Sequence, residues 1–148
     1  MFSYSSHVTD PVRLLEITDV PIDVGAVYAA LGDRHAGGIS VFVGTVRDHD
    51  HGQSVVGLDY SAHPTAEQVL REVVEKVVAS YPVDSVAAVH RIGALDIGDV
   101  AVVVAVACPH RNEAFAACRT LIDDLKGTVP IWKHQRFVDG TEEWVGTP

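Results

Sequence analysis

Positive charge is scarce in this chain: 11 Lys and Arg stand against 20 Asp and Glu, leaving a formal net charge of -9 over 148 residues. So acidic a molecule is repelled by the phosphate field of nucleic acids and by anionic membranes, which argues against non-specific binding to either. Any anionic ligand would need the few cations gathered in one place. Cysteine is scarcer still, with only Cys108 and Cys118. A disulfide scaffold carries more, and two thiols at that separation match no zinc spacing. Long apolar runs are missing too. The longest, Val100 to Cys108, falls far short of the roughly 20 residues that a membrane-spanning helix needs. The opening MFSYSSHVTD has neither a basic patch nor an apolar stretch of the secretory kind. A soluble cytoplasmic protein is the expectation. The phosphate-loop patterns GxGxxG and GxxxxGK[ST] are absent, as are HExxH and GxSxG, so the common nucleotide, zinc-protease and serine-hydrolase readings lose their best signals.

What is present suits a globular protein, with 47% hydrophobic and 21% charged residues. A chain of this length can bury about two-thirds of its unfolded surface. One domain over residues 1–148 is expected, with residues 1–11 a loose arm ending at Asp10-Pro11. Val12 to Thr18 reads as a strand. Asp23 stands where an N-cap belongs, and Val24, Val27, Tyr28 and Leu31 give helical spacing up to Gly32. The β-branched run ISVFVGTV predicts a strand containing Phe42, the polar stretch Arg47 to Gln53 a loop, and Val55 to Ala62 a further strand.

Pro64 to Tyr81 is the clearest helix, with Ala66, Val69, Leu70, Val73, Val74, Val77 and Val78 at i, i+3, i+4 intervals. Ser85 to Ile92 and Val100 to Cys108 read as strands around the turn LDIGD. The second is apolar on both faces and is expected at the centre of a sheet. A second amphipathic helix follows, with Phe115, Cys118, Leu121, Ile122 and Leu125 on one face, Asn112 as N-cap and Gly127 just past its end. Pro130 to Val138 and Glu142 to Val145 form a final hairpin through Asp139-Gly140. Paired strands between helices predict an α+β fold with a mixed or antiparallel sheet and two or three packed helices.

Several residue types could carry chemistry. Cys118 lies on an apolar helix face and reads as a small buried thiol. Cys108 ends a strand near His110 and is the better candidate for a reactive thiol. The loop Asp48-His49-Asp50-His51 alternates carboxylate and imidazole, yet so short a loop does not preorganise a metal shell, and solvated polar residues are expected there. No metal is assigned. His63 and His90 read as surface or strand polar groups. The cations fall more suggestively. Arg47 ends a strand, and His110 and Arg111 stand where the apolar strand gives way to a helix, whose N-terminus favours anions. Lys126 closes that helix, and Lys133 follows in a strand beside Trp132, which faces opposite to Lys133 and Ile131. Brought together by the fold, these would form an anion pocket; left apart, they are solvated charges. An amine acts as nucleophile or base only when neutral, and burial or nearby cations favour that, whereas a helix C-terminus stabilises the ammonium.

On these segments the chain resembles the MoaE family, the large catalytic subunit of molybdopterin synthase. The resemblance rests on FVGTVRDH (Phe42 to His49), HRIGALDIGD (His90 to Asp99), CPHRNEAFAAC (Cys108 to Cys118), LIDDLKGTVPIWK (Leu121 to Lys133) and DGTEEWV (Asp139 to Val145). It implies a hammerhead-like α+β fold with a small C-terminal hairpin. It implies sulfur transfer without a cysteine of the chain's own. A small ubiquitin-like, MoaD-like carrier brings a thiocarboxylate on its C-terminal Gly-Gly tail, and two transfers turn cyclic pyranopterin monophosphate into the dithiolene of molybdopterin. No cofactor is implied. The family is a homodimer within a heterotetramer, each large subunit holding one carrier.

The resemblance makes Lys126 and Lys133 the catalytic candidates. It assigns substrate contacts to Thr45, Val46, Arg47, His110, Arg111, Lys126, Lys133, His134 and Gln135, and places Phe42 near the carrier tail or in the core. Two departures stand out. Trp132-Lys133-His134-Gln135 replaces the usual Trp-Lys-Lys-Glu, and Leu58 to His63 lacks a glutamate and a tyrosine of LxYExY. A non-catalytic module binding phosphorylated ligands, or a divergent paralogue, is the alternative reading.

Overall fold

The computed structural model describes residues 10–146, so the N-terminal arm falls mostly outside the described residues. In chain order the elements are β1 (Val12–Thr18), α1 (Val24–Leu31), β2 (Gly38–Thr45), β3 (His49–Asp50), β4 (Gln53–Ala62), α2 (Ala66–Ser80), β5 (Ser85–Arg91), β6 (Gly93–Leu95), β7 (Val100–Cys108), α3 (Arg111–Thr128), β8 (Ile131–Phe137) and β9 (Glu142–Gly146). The α+β class is observed. The strands divide between two sheets. The first, in the order β1-β5-β7-β2, is mixed: β1 runs parallel to β5, and the other pairs are antiparallel. The second, β3-β4-β8-β9 with β6 also paired to β4, is antiparallel throughout. The C-terminal hairpin β8–β9 is the margin of that second sheet.

The apolar character of β7 has a direct cause. Val102, Val104, Val106 and Cys108 point into a core with α2 and α3, while Val103, Ala105 and Ala107 point into another with Val27 and Leu31 of α1. A strand covered on both faces carries no polar alternation. The helix α1 starts where Asp23 accepts a hydrogen bond from the Ala26 amide at 3.1 Å, and stops at Gly32 with φ 48. A third, smaller core of Val46, Leu58, Leu95 and Ala101 joins the end of β2 to the second sheet. Among the described residues, no helix is long and apolar enough to cross a membrane.

Three local expectations are corrected. The helix α3 is preceded by His110, not capped by Asn112, and runs through Gly127 to Thr128. Its buried face is Ala114, Ala117, Cys118, Leu121 and Leu125, while Phe115 is 61% exposed. The stretch expected as a plain loop contains β3, joined to β4 by His51 (φ 51) and Gly52 (φ 78). Positive φ at both positions marks a tight hairpin turn whose twist matches the flanking strands.

Candidate active site

Lys126 lies in the last turn of α3, and Lys133 follows it on β8 after the corner at Val129-Pro130. The two side chains line the same cleft. One lobe, about 260 Å³, is walled mainly by Leu125, Val129, Ile131, Val145 and Gly146, with His90 and Tyr60. The other, about 390 Å³, is bordered by Phe42 to Arg47, His49, Asp50 and Gln135. Tyr60, Lys126 and Lys133 belong to both lobes. The first lobe is the more apolar of the two; the second, the more polar, mixes Arg47, Asp50 and Gln135 with Phe42, Leu58 and Val102, and both lysines line both lobes.

The placement follows from strand geometry. Along β8 successive side chains alternate, so Lys133 and Gln135 share the cleft face with Ile131 and Phe137. Tyr60 on β4 stands directly opposite Lys133 in the antiparallel register. The end of β2 brings Thr45, Val46 and Arg47 to the polar lobe. Val46 is anchored there, its amide donating to the Asp99 carbonyl at 3.0 Å and its carbonyl accepting from Gly98 at 2.9 Å.

The electrostatics are those of a cationic cleft in an acidic molecule. Desolvation by the cleft walls lowers the pKa of Lys126, and the charge of Lys133 lowers it further. Both oppose the helix C-terminus, which favours the ammonium. Lys126 remains accessible to solvent, so it is a wall residue and not a core one. His90 is only 2% exposed. Burial, together with the Lys126 charge, drives its pKa down to about 4, although a bond to the Arg91 carbonyl acts the other way. Its Nδ1 lies 2.7 Å from that carbonyl oxygen. A carbonyl only accepts, so Nδ1 carries the hydrogen and Nε2 is the acceptor nitrogen of the neutral ring.

The remaining candidates divide. His134 lies on the opposite face of β8, stacked on Trp144 at 4.4 Å and paired with Glu142. Gln135 is buried and donates to Asp50 and Glu143. His110 and Arg111 line a separate recess at the start of α3, about 22 Å along the helix from Lys126 at 1.5 Å per residue. One chain therefore does not bring all the cations together. The Cys108 thiol is fully buried and pushed up to about 11 by desolvation and then by Asp84 and Glu113, so it is no thiolate at neutral pH. Cys118 is also buried with a raised pKa, chiefly from desolvation. In the 48–51 segment, Asp48 pairs with His49 and Asp50 with Arg47. His63 is exposed beside Trp132. Tyr60 and His90 are cleft residues that sequence reasoning missed; the one available signal was an imidazole interrupting the apolar run SVAAV.

The model of the family described as "MoaE protein" matches residues 17–128. The chain belongs to the MoaE family. Its similarity to individual members extends past the matched segment. It is 44% identical over 131 residues, 88% of each chain, to molybdopterin synthase catalytic subunit 1 of Mycobacterium tuberculosis. The crystal structure of molybdopterin synthase from Staphylococcus aureus superposes with a TM-score of 0.83 at 35% identity, covering 89% of this chain and 96% of that one. A complex of subunits 1 and 2 of the molybdopterin-converting factor from Helicobacter pylori shares the fold, with a TM-score of 0.67 at 19% identity over 93% of this chain and 90% of that one. In this chain the fold places Lys126 and Lys133 in both lobes of one cleft.

Proposed function

We infer that the protein is the catalytic subunit of a molybdopterin synthase, a sulfurtransferase of molybdenum cofactor biosynthesis. Sulfur passes from the C-terminal thiocarboxylate of a small ubiquitin-like carrier to cyclic pyranopterin monophosphate, forming the dithiolene. The observation that carries this reading is the meeting of Lys126 and Lys133 in one cleft, where both line a more apolar lobe and a more polar one. A slim Gly-Gly tail fits the apolar lobe against Val145 and Gly146, with its terminal group at the lysines. The pterin occupies the polar lobe, bordered by Thr45, Val46 and Arg47, with Phe42 at its edge.

In this reading Lys126 polarises the thiocarboxylate carbonyl as an ammonium or moves a proton there, and its lowered pKa, from desolvation and the Lys133 charge, eases the proton transfer. Lys133 stabilises substrate and transition-state charge. No thiol of the chain takes part, consistent with two buried cysteines. The substrate phosphate is gripped by His110 and Arg111. Their distance from the lysines favours service to the cleft of a second copy, within a homodimer that holds one carrier per large subunit. The edge strand β2 offers a surface for that copy, with Ile39, Val41, Phe42 and Val43 exposed along it.

Reconstitution with thiocarboxylated carrier and the pterin monophosphate tests the function. Wild-type protein yields dithiolene, and Lys126→Ala folds normally but loses about 10²-fold or more in kcat, as expected when a charge-stabilising group is removed. Normal turnover by Lys126→Ala would remove the basis of the assignment.

A further inference from the structure

We propose that Asp50, locked by Gln135, is the positioning residue that sets Arg47 in the polar lobe. The inference rests on the reading of Arg47 as a substrate contact and adds the parts that hold it there. Gln135 is 2% exposed, and its Nε2 donates to Asp50 Oδ2 at 2.7 Å and to Glu143 Oε1 at 3.1 Å. Carboxylates only accept, so the orientation of the amide is unambiguous. Both amide hydrogens are spent, leaving none for a substrate. Gln135 therefore acts through Asp50.

The Asp50 carboxylate has an inner and an outer end. Its inner oxygen is fixed by Gln135. Its outer oxygen, Oδ1, accepts from Arg47 Nη2 at 3.1 Å, with His51 Nε2 at 3.8 Å. The Asp50 side chain is 13% exposed and that of Arg47 64%, so an anchored group holds a reaching one. The Gln135 hydrogen bond, then the charges of Lys133, His51 and Arg47, keep Asp50 below the usual carboxylate range, against the opposing effect of burial. The carboxylate therefore stays ionised at neutral pH. Glu143 on β9 is the further charged group facing Gln135. A carboxylate at position 135 would meet two others with no hydrogen to share; an amide joins them.

The tie also has mechanical content. Gln135 and Asp50 are 85 residues apart in sequence. β4 already pairs with β8, and the hydrogen bond ties the short β3, and with it the segment after β2, to β8 as well. An amide-to-carboxylate bond of this kind is worth more than a neutral one. Without it, an isolated exposed Arg–Asp pair contributes little orientation.

The test compares wild type with Asp50→Asn, Gln135→Glu, Arg47→Ala and the Arg47→Ala/Asp50→Asn double variant, in turnover and in amide hydrogen exchange on the full chain. Asp50→Asn and Gln135→Glu are expected to raise KM for the pterin monophosphate roughly threefold to tenfold, the coupling typical of residues in one network, with kcat within about twofold. In the Arg47→Ala background, Asp50→Asn adds nothing. Gln135→Glu regains its KM as the pH falls, because a protonated carboxyl again supplies a donor. Exchange protection of residues 47–55 drops in Gln135→Glu while that of β5 and β7 holds. Independent, multiplying effects of Asp50→Asn and Arg47→Ala would overturn the proposal, as would unchanged KM or unchanged protection of residues 47–55. Failure of the wild type to form dithiolene would overturn the functional reading instead, and the exchange data would still decide whether Gln135 locks Asp50.

Discussion

His90 meets the ring of Tyr60 edge to face, with centroids 5.0 Å apart and planes at 84°. The pair forms part of the cleft wall beside Lys126, where a charged imidazole would add a second cation in a desolvated place. The depressed pKa of His90, about 4, keeps the ring neutral. In the unfolded chain it titrates near the ordinary value of about 6.5. Between those values the unfolded state binds the extra proton. The histidine's stability contribution is thus intact above pH 6.5 and lost as the pH falls towards 4, to a total of about 3 kcal/mol at most. His90→Gln is expected to flatten this part of the pH dependence, measured as the wild-type minus variant difference in urea unfolding at pH 7 and pH 4.5. An identical acid loss in both proteins would contradict a buried neutral ring.

Lys133 acts on Lys126 through its charge. Replacing it by Met removes a like charge while keeping the bulk of the stem, so the pKa of Lys126 rises. Reductive ¹³C-methylation of the lysines followed by NMR titration reads this directly. A Lys126 resonance that titrates at the same pH in wild type and Lys133→Met would show that the two ammonium groups do not sense each other.

The separation of Arg111 from Lys126 along α3 has a consequence for mixtures. In the proposed homodimer, with Arg111 serving the partner copy's cleft, Arg111→Ala and Lys126→Ala subunits are each expected to be inactive, yet a mixed dimer holds one whole site and one doubly damaged site. Random exchange makes half of the dimers mixed, so a one-to-one mixture recovers about a quarter of wild-type turnover. No recovery after proven subunit exchange would place Arg111 outside the site that Lys126 serves.

The register of α3 is testable by stability alone. Leu121 is fully buried and Phe115 lies 61% exposed on the same helix. Leu121→Ala is expected to cost about 2–5 kcal/mol, whereas Phe115→Ser stays within about 0.5 kcal/mol. Equal losses in denaturant unfolding would mean that Phe115 is covered.

The parts of the fold read correctly from sequence are those where burial writes a strong pattern. β7 declared itself central because it packs on both faces, and α2 because a valine-rich stripe recurs at helical intervals. Phe115 misled because the true buried face of α3 begins with Ala114 and Ala117, whose small side chains carry a weak hydrophobic signal. The β3–β4 hairpin was hidden because its strand is two residues long and His51 occupies a left-handed position usually given to Asn or Gly. Lys126, Lys133 and Arg47 stood out as scarce cations at the ends of elements, and the resemblance suggested their roles; that all three line one cleft required the fold. Tyr60 and His90 were not legible, because their meeting depends on how the two sheets sit against each other, which no local pattern records. Gln135 was visible only as a departure from a familiar motif; its burial between two carboxylates required the fold.

Lys126 rides on a helix that packs against the first sheet, and Lys133 belongs to the second. A ligand that grips both ammonium groups is therefore a clasp between the molecule's two halves. Filling the cleft is then expected to tie the two sheets more closely together, through the stabilisation that any ligand of the folded state alone confers.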